Sequence, residues 1–66
     1  MHVLLNGTST ELPDGATVAT LVANLQLTGR RMAVEVNEEV IPKSEHAAFA
    51  LKEGDKVEVV HAVGGG

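Results

Sequence analysis

The chain of 66 residues contains no cysteine, which excludes a disulfide framework and a zinc site of the cysteine type. Aromatic side chains are nearly absent too, because Phe49 is the only one. Basic residues are few, and the formal charge of −4 argues against nucleic-acid binding, which needs a positively charged surface. No apolar run approaches the ~20 residues of a membrane span, and no signal-peptide pattern follows Met1. We therefore expect a cytoplasmic protein without nucleic-acid or membrane partners.

What the chain does have is aliphatic residues, which make up most of its 44% hydrophobic content. This is enough for the core of one small domain. A chain of this length buries only about 60% of the surface that its unfolded form exposes, so each apolar position matters.

The first twelve residues predict a β-hairpin. Asn6 and Gly7 tolerate the positive φ that a type I′ turn requires, and they separate two short strands. A two-residue turn sets the register and places the following side chains on the inner face: Met1, Val3, Leu5 and Leu12. Leu4 is left on the outer face.

The next segment predicts an amphipathic helix. Thr17 is suited to the N-cap, and a stripe with spacing i, i+3, i+4 and i+7 follows. The stripe consists of Val18, Leu21, Val22 and Leu25. Gly29 is expected to end the helix.

The remaining segments predict two further strands and, between them, a short strand or turn. Residues 32–37 alternate, with Ala33 facing outward, and Pro42 limits the apolar pair Val40 and Ile41 to the edge of the sheet or the end of a strand. Residues 56–63 form the last strand, which directs Val60 and Ala62 outward. We expect Phe49 and Leu51 to fill the core.

This order of elements predicts an α+β fold in which one main helix covers a mixed sheet of four to five strands. The first and last strands are expected to lie together at the sheet centre, which is the β-grasp (ubiquitin-like) arrangement. The predicted domain spans residues 1–63, and residues 64–66 form a flexible glycine tail.

The sequence offers no catalytic constellation. His2, His46 and His61 are scattered, without the i, i+4 spacing of helical metal ligands, and are interpreted as surface residues. Serine and threonine side chains lack a neighbouring base. We therefore predict no enzymatic activity, no bound metal and no bound cofactor.

Two features remain as candidates for function. The chain stops on Gly64, Gly65 and Gly66, and a tail without side chains can enter a narrow channel and present a terminal carboxylate. The other feature is a set of apolar side chains on the outer face: Leu4, Val60, Ala62 and Ala33. Leu4 and Val60 are predicted to form one patch for partner docking, since their strands are expected to be neighbours.

These residues give the chain a resemblance to the ThiS family, the ubiquitin-like sulfur carriers of thiamine biosynthesis. The resemblance covers the whole length, including residues 3–7, 17–22, 33–37, 40–42 and 51–60, and the final Gly65-Gly66. A diglycine alone is a weak signal, but it is much stronger at the end of a β-grasp chain of this length. Lys43 departs from the arginine that often follows the proline in the family.

The resemblance implies a mechanism centred on Gly66. A ThiF-like adenylyltransferase would use ATP to adenylate its carboxylate, with Gly65 and Gly64 threaded into the active site of the partner. Sulfur from a cysteine-desulfurase persulfide would replace AMP and leave a thiocarboxylate. Thiazole synthase (ThiG-like) would then take the sulfur for the thiazole ring.

Other interpretations stay open at the level of sequence. The molybdopterin-synthase carrier shares this fold and terminus but usually has extra residues between the helix and the last strand. A carrier for tRNA thiolation or another thiolation pathway is a further alternative. From a different class, the chain could be a non-catalytic β-grasp protein-binding module.

Overall fold

The computed structural model describes residues 1–61, which form a five-stranded mixed sheet packed against one α-helix. The elements in chain order are β1 (His2–Leu5), β2 (Thr8–Glu11), α1 (Val18–Asn24), β3 (Met32–Val36), β4 (Glu39–Val40), a 3₁₀ turn (Lys43–Glu45) and β5 (Lys56–His61). Across the sheet the order is β2-β1-β5-β3-β4. Strands β1 and β5 are parallel and the other pairs antiparallel, which confirms the predicted α+β fold and its central strands.

Residues 62–66 lie outside the described part of the chain. The predicted domain boundary at residue 63 and the predicted flexible tail at residues 64–66 fall there and stay predictions. Within residues 1–61, the helix α1 has 7 residues, which is too short to cross a membrane.

The N-terminal hairpin forms as predicted. Asn6 and Gly7 have φ values of 49° and 84°, as a type I′ turn requires. Leu5 pairs with Thr8 and Val3 with Thr10, so the register follows from the length of the turn.

The core lies between α1 and one face of the sheet. Side chains alternate between the two faces along each strand. Those that face α1 are buried: Val3, Val34, Val36, Val57 and Val59. The helix contributes Val18, Leu21 and Val22, and Leu51 closes the core from the loop before β5, as predicted. Phe49 packs against this core but is only partly buried. No helix or strand within residues 1–61 packs on the opposite face of the sheet.

The start of α1 confirms its predicted cap, since the Thr17 hydroxyl accepts from the Thr20 amide at 3.2 Å. The predicted end of the helix is wrong. The helix stops at Asn24, and the left-handed residue that ends it is Gln26, with φ 61°. Gly29 is also left-handed, with φ 83°, but it lies in the loop beyond the helix end. The amides of Gln26 and Leu27 then bond to the carbonyls of Ala23 and Val22, at 2.9 Å and 3.0 Å. These two bonds form a Schellman motif.

The early end of the helix changes which leucine is buried. Leu25, predicted on the buried stripe, is 37% exposed, whereas Leu27 is buried in its place. The reversal at Gln26 returns the chain toward the sheet, and the residue after the reversal enters the core. The helical spacing of apolar residues in the sequence predicts a helix that continues past Asn24, and it therefore predicts the wrong buried leucine.

His46 also differs from its interpretation as a surface residue, because only 7% of it is exposed. Its Nε2 lies 3.0 Å from the carbonyl oxygen of Ile41, and its own carbonyl accepts from the Ala19 amide at 3.0 Å. Since a carbonyl oxygen only accepts, Nε2 carries the proton in this bond. His46 thus joins the loop after β4 to the start of α1, which gives it a structural role.

Candidate functional site

The open face of the sheet carries the residues predicted for docking. Leu4, Ala33 and Val60 all point away from α1 and are exposed, Leu4 by 41% and Val60 by 70%. Their orientation follows from the alternation of side chains along β1, β3 and β5. Ala62, the fourth predicted docking residue, lies outside the described residues. We call this surface the outer face.

The register shows how these apolar residues are distributed. Val60 is paired directly with Ala33, so these two side chains adjoin. Leu4 is paired with Lys56, four residues before Val60 on β5, which corresponds to about 13 Å along the strand. Because the outward side chain of Glu58 lies between the position opposite Leu4 and Val60, these two residues form two separate apolar points rather than the one patch expected from sequence.

Val40 is an apolar residue of the outer face that the sequence analysis did not single out. It is 63% exposed and pairs with Glu35 of β3, which places it on the same face as Ala33. The adjacent Ile41 is buried instead. Two consecutive apolar residues do not reveal which of them faces outward, so only the strand register distinguishes Val40.

Two glutamates lie between the apolar residues of the outer face. Glu35 and Glu58 are directly opposite each other on β3 and β5. Like charges in such a pair repel, and no ion pair of either glutamate is found within residues 1–61. The outer face therefore combines apolar side chains with the negative charges of two glutamates that form no ion pair within residues 1–61.

A shallow cleft of about 280 Å³ adjoins Leu4 at one end of this face. It is lined by Leu4, Asn6, Gly7, Lys56, Val57 and Glu58. An apolar side chain of a partner could contact Leu4 there, next to the charged groups of Lys56 and Glu58. The cleft thus makes the surface beside Leu4 concave, so that a side chain of a partner could fit there.

Strand β5 connects the outer face with the predicted carrier terminus. It is the middle strand of the sheet, and the chain continues from His61 toward Gly64, Gly65 and Gly66. These three glycines lie outside the described residues, so the role predicted for them stays a prediction. The side chains described here do not form a metal site, since no three potential ligands come together within residues 1–61.

Residues 3–66 match the model of the ThiS family. The sulfur carrier protein ThiS of Bacillus subtilis is 40% identical over 53 residues, which is 80% of each chain. The crystal structure of the thiamine biosynthesis protein ThiS from Geobacter metallireducens superposes with a TM-score of 0.82 at 29% identity, with complete coverage of both chains.

A second kind of relative is much longer. A thiazole synthase of Paramagnetospirillum magneticum is 39% identical over all 66 residues, and one of Magnetococcus marinus is 36% identical over the same length. The chain spans 20% of the length of each of these proteins. The family match over nearly the whole sequence and the shared β-grasp fold establish that the chain belongs to the ThiS family.

Proposed function

We propose that this chain is the sulfur carrier for thiazole formation in thiamine biosynthesis, and that the carboxylate of Gly66 carries the sulfur. The observation that supports this most directly is the family match, which extends through the terminal glycines to residue 66. The name of the Bacillus subtilis relative supports the carrier role. The thiazole synthases that contain a similar segment support thiazole synthase as the protein that receives the sulfur.

The first step of the proposed reaction activates the carboxylate, which is ionised near neutral pH and a poor electrophile. One oxygen of the Gly66 carboxylate attacks the α-phosphorus of ATP on a ThiF-like enzyme and displaces pyrophosphate. The chain itself binds no cofactor in this scheme, and ATP is held by the partner. Gly65 and Gly64 enter the active site of the partner because they have no side chains to obstruct a narrow channel.

The second step exchanges oxygen for sulfur. The terminal sulfur of a cysteine-desulfurase persulfide attacks the acyl carbon, and AMP leaves. A reducing thiol then cleaves the remaining sulfur–sulfur bond, which frees the thiocarboxylate and leaves the thiol oxidised. Thiazole synthase receives the sulfur. The carrier acts as a co-substrate throughout, so it needs no catalytic residue of its own.

The outer face is proposed as the docking surface for these partners, through Leu4, Ala33, Val60 and the undescribed Ala62. Exposed apolar side chains at the centre of an interface contribute most of its binding energy. Val60 lies on the strand that leads to the tail, so docking there would place the tail close to the same partner.

Mass spectrometry of the intact protein tests the proposal. The mass of the purified chain first establishes that Gly66 is its free end. After incubation with the activating enzyme, ATP and a persulfide source, we expect the mass increase for replacement of one oxygen by sulfur. A variant that lacks Gly66 should remain unmodified, because its carboxylate falls about 3.5 Å short of the nucleotide.

Two results would contradict the proposal. An unmodified wild-type chain would favour the binding-module interpretation, and a modified variant without Gly66 would move the reacting group elsewhere. Rescue of a thiazole auxotroph distinguishes thiazole synthase from the acceptors of other thiolation pathways.

A further inference from the structure

Strand β5 loses its neighbour on the β1 side halfway along its length. The parallel pairing of β1 with β5 covers Leu4 with Lys56 and Leu5 with Val57. The amide of Asn6 donates one more bond to the carbonyl of Val57, at 2.9 Å, and the chain then turns into β2. On the other side, β3 accompanies β5 as far as His61. Among the described residues 1–61, the half of β5 that leads to the tail is thus flanked by a strand on one side only.

The side chain of Asn6 takes the place of the missing strand. Its Oδ1 accepts from the amide of Val59 at 2.9 Å, and its Nδ2 donates to the carbonyl of the same residue at 3.3 Å. One carboxamide therefore satisfies both backbone groups of Val59, as a neighbouring strand would do. The left-handed backbone of Asn6 in the hairpin turn directs the side chain toward β5, and asparagine tolerates this conformation.

We propose that Asn6 is a positioning residue for the carrier reaction, because it holds the end of β5 in the sheet and so determines where the tail begins. This inference rests on the proposed function. The five residues after His61 reach at most about 18 Å when fully extended. Because the segment of residues 62–66 is this short, the position at which it leaves β5 limits where the Gly66 carboxylate can be placed.

Asn37, in the turn after β3, provides a matched control because its side chain bonds to the same strand, β5. It also has a positive φ of 52°, and its Oδ1 accepts from the amide of Lys56 at 3.0 Å. Its Nδ2 donates to Asp55 at 3.1 Å. Asn37 therefore holds the beginning of β5, remote from the tail, through the same kind of side-chain bonds.

The test compares Asn6→Gly with Asn37→Gly in the full chain. Glycine keeps the positive φ at both positions and removes the side-chain bonds. We expect Asn6→Gly to lower the kcat of pyrophosphate exchange by the ThiF-like enzyme at least about tenfold, with a smaller change in the KM for the carrier. Asn37→Gly should keep the wild-type kcat. Hydrogen exchange of the Val59 amide should accelerate in Asn6→Gly only.

Asn6→Asp is a second variant that retains the turn. Its carboxylate can still accept from the Val59 amide but opposes the Val59 carbonyl with an oxygen, so we expect an intermediate loss of kcat. All kinetics are measured below the unfolding transition of each variant.

The possible failures are distinguishable. A wild-type chain that is never adenylated would reject the proposed function and this role together. If the wild type is adenylated, an unchanged kcat in Asn6→Gly rejects the role of Asn6 alone. An equal loss of kcat in Asn37→Gly would also reject it, since the effect would then reflect general stability.

Discussion

At the scale of single residues, backbone strain is concentrated at turns. Within residues 1–61, four residues other than glycine have positive φ values: Asn6, Gln26, Asn37 and Glu38. The two asparagines form side-chain bonds with β5 that offset the strain of this conformation. Gln26 is exposed at the end of α1, and its conformation is one that glycine adopts at much lower cost.

Gln26→Gly should therefore stabilise the protein. We expect a gain of about 0.5–1 kcal/mol in the free energy of unfolding, because relief of the left-handed strain exceeds the added entropy of the unfolded chain. Urea denaturation measures this change. Ala23→Gly, which is exposed within the same helix, is the control and should lose about 1 kcal/mol. Equal destabilisation by both substitutions would contradict the helix end described here.

At the scale of elements, only part of the apolar stripe predicted for α1 is buried in the core. Leu21 and Leu25 have the same chemistry and lie one turn apart, but only Leu21 is buried. Leu21→Ala should cost about 2–5 kcal/mol through lost burial and the cavity left behind. Leu25→Ala should cost less than about 1 kcal/mol. Similar midpoints of thermal unfolding for the two variants would show that the helix buries both leucines.

The pairing of β3 with β5 supports a second prediction at this scale. Glu58→Gln removes the repulsion with Glu35 across the two strands. We expect the free energy of unfolding to rise by about 0.2–1 kcal/mol, with a smaller gain at high salt, where the repulsion is screened.

The control for this substitution is Glu38→Gln. It changes the net charge equally, but Glu38 lies in the turn between β3 and β4, outside the strand pairing. Chemical denaturation at low and high salt compares the two variants. An equal effect of both would assign the gain to net charge rather than to the cross-strand pair.

At the scale of the whole molecule, one face of the sheet packs on α1, and no element within the described part of the chain covers the other. Val60→Glu or Leu4→Glu would place a charge at an apolar point of the outer face. Each should weaken binding to the activating enzyme by at least about 1–2 kcal/mol without unfolding the domain, because both side chains are exposed. Isothermal titration calorimetry in the absence of ATP measures the affinity.

Ala23→Glu is the matched control for these variants, since it adds the same charge on the exposed side of α1. It should leave the affinity close to that of the wild type. If all three substitutions weaken binding equally, the outer face is not the docking surface and the effect is one of net charge.

Much of the fold follows from the sequence alone because the responsible signals are local. The Asn6-Gly7 turn sets the hairpin register within a few residues, and the Thr17 cap defines the start of α1. The alternation of Val57 and Val59 likewise assigns the buried side of β5. The carrier terminus was also predicted from sequence, through the glycines and the family resemblance, and it remains a prediction.

Other features were decided only by the tertiary structure. His46 is buried because its loop packs against α1, and Leu25 is exposed because the Schellman motif returns the chain to the sheet at Leu27. The separation of Leu4 from Val60 and the contact of Asn6 with Val59 depend on the parallel register of β1 and β5. Asn6 and Val59 are 53 residues apart. No local periodicity specifies such a register, since it is set by the packing of the whole chain around a shared core.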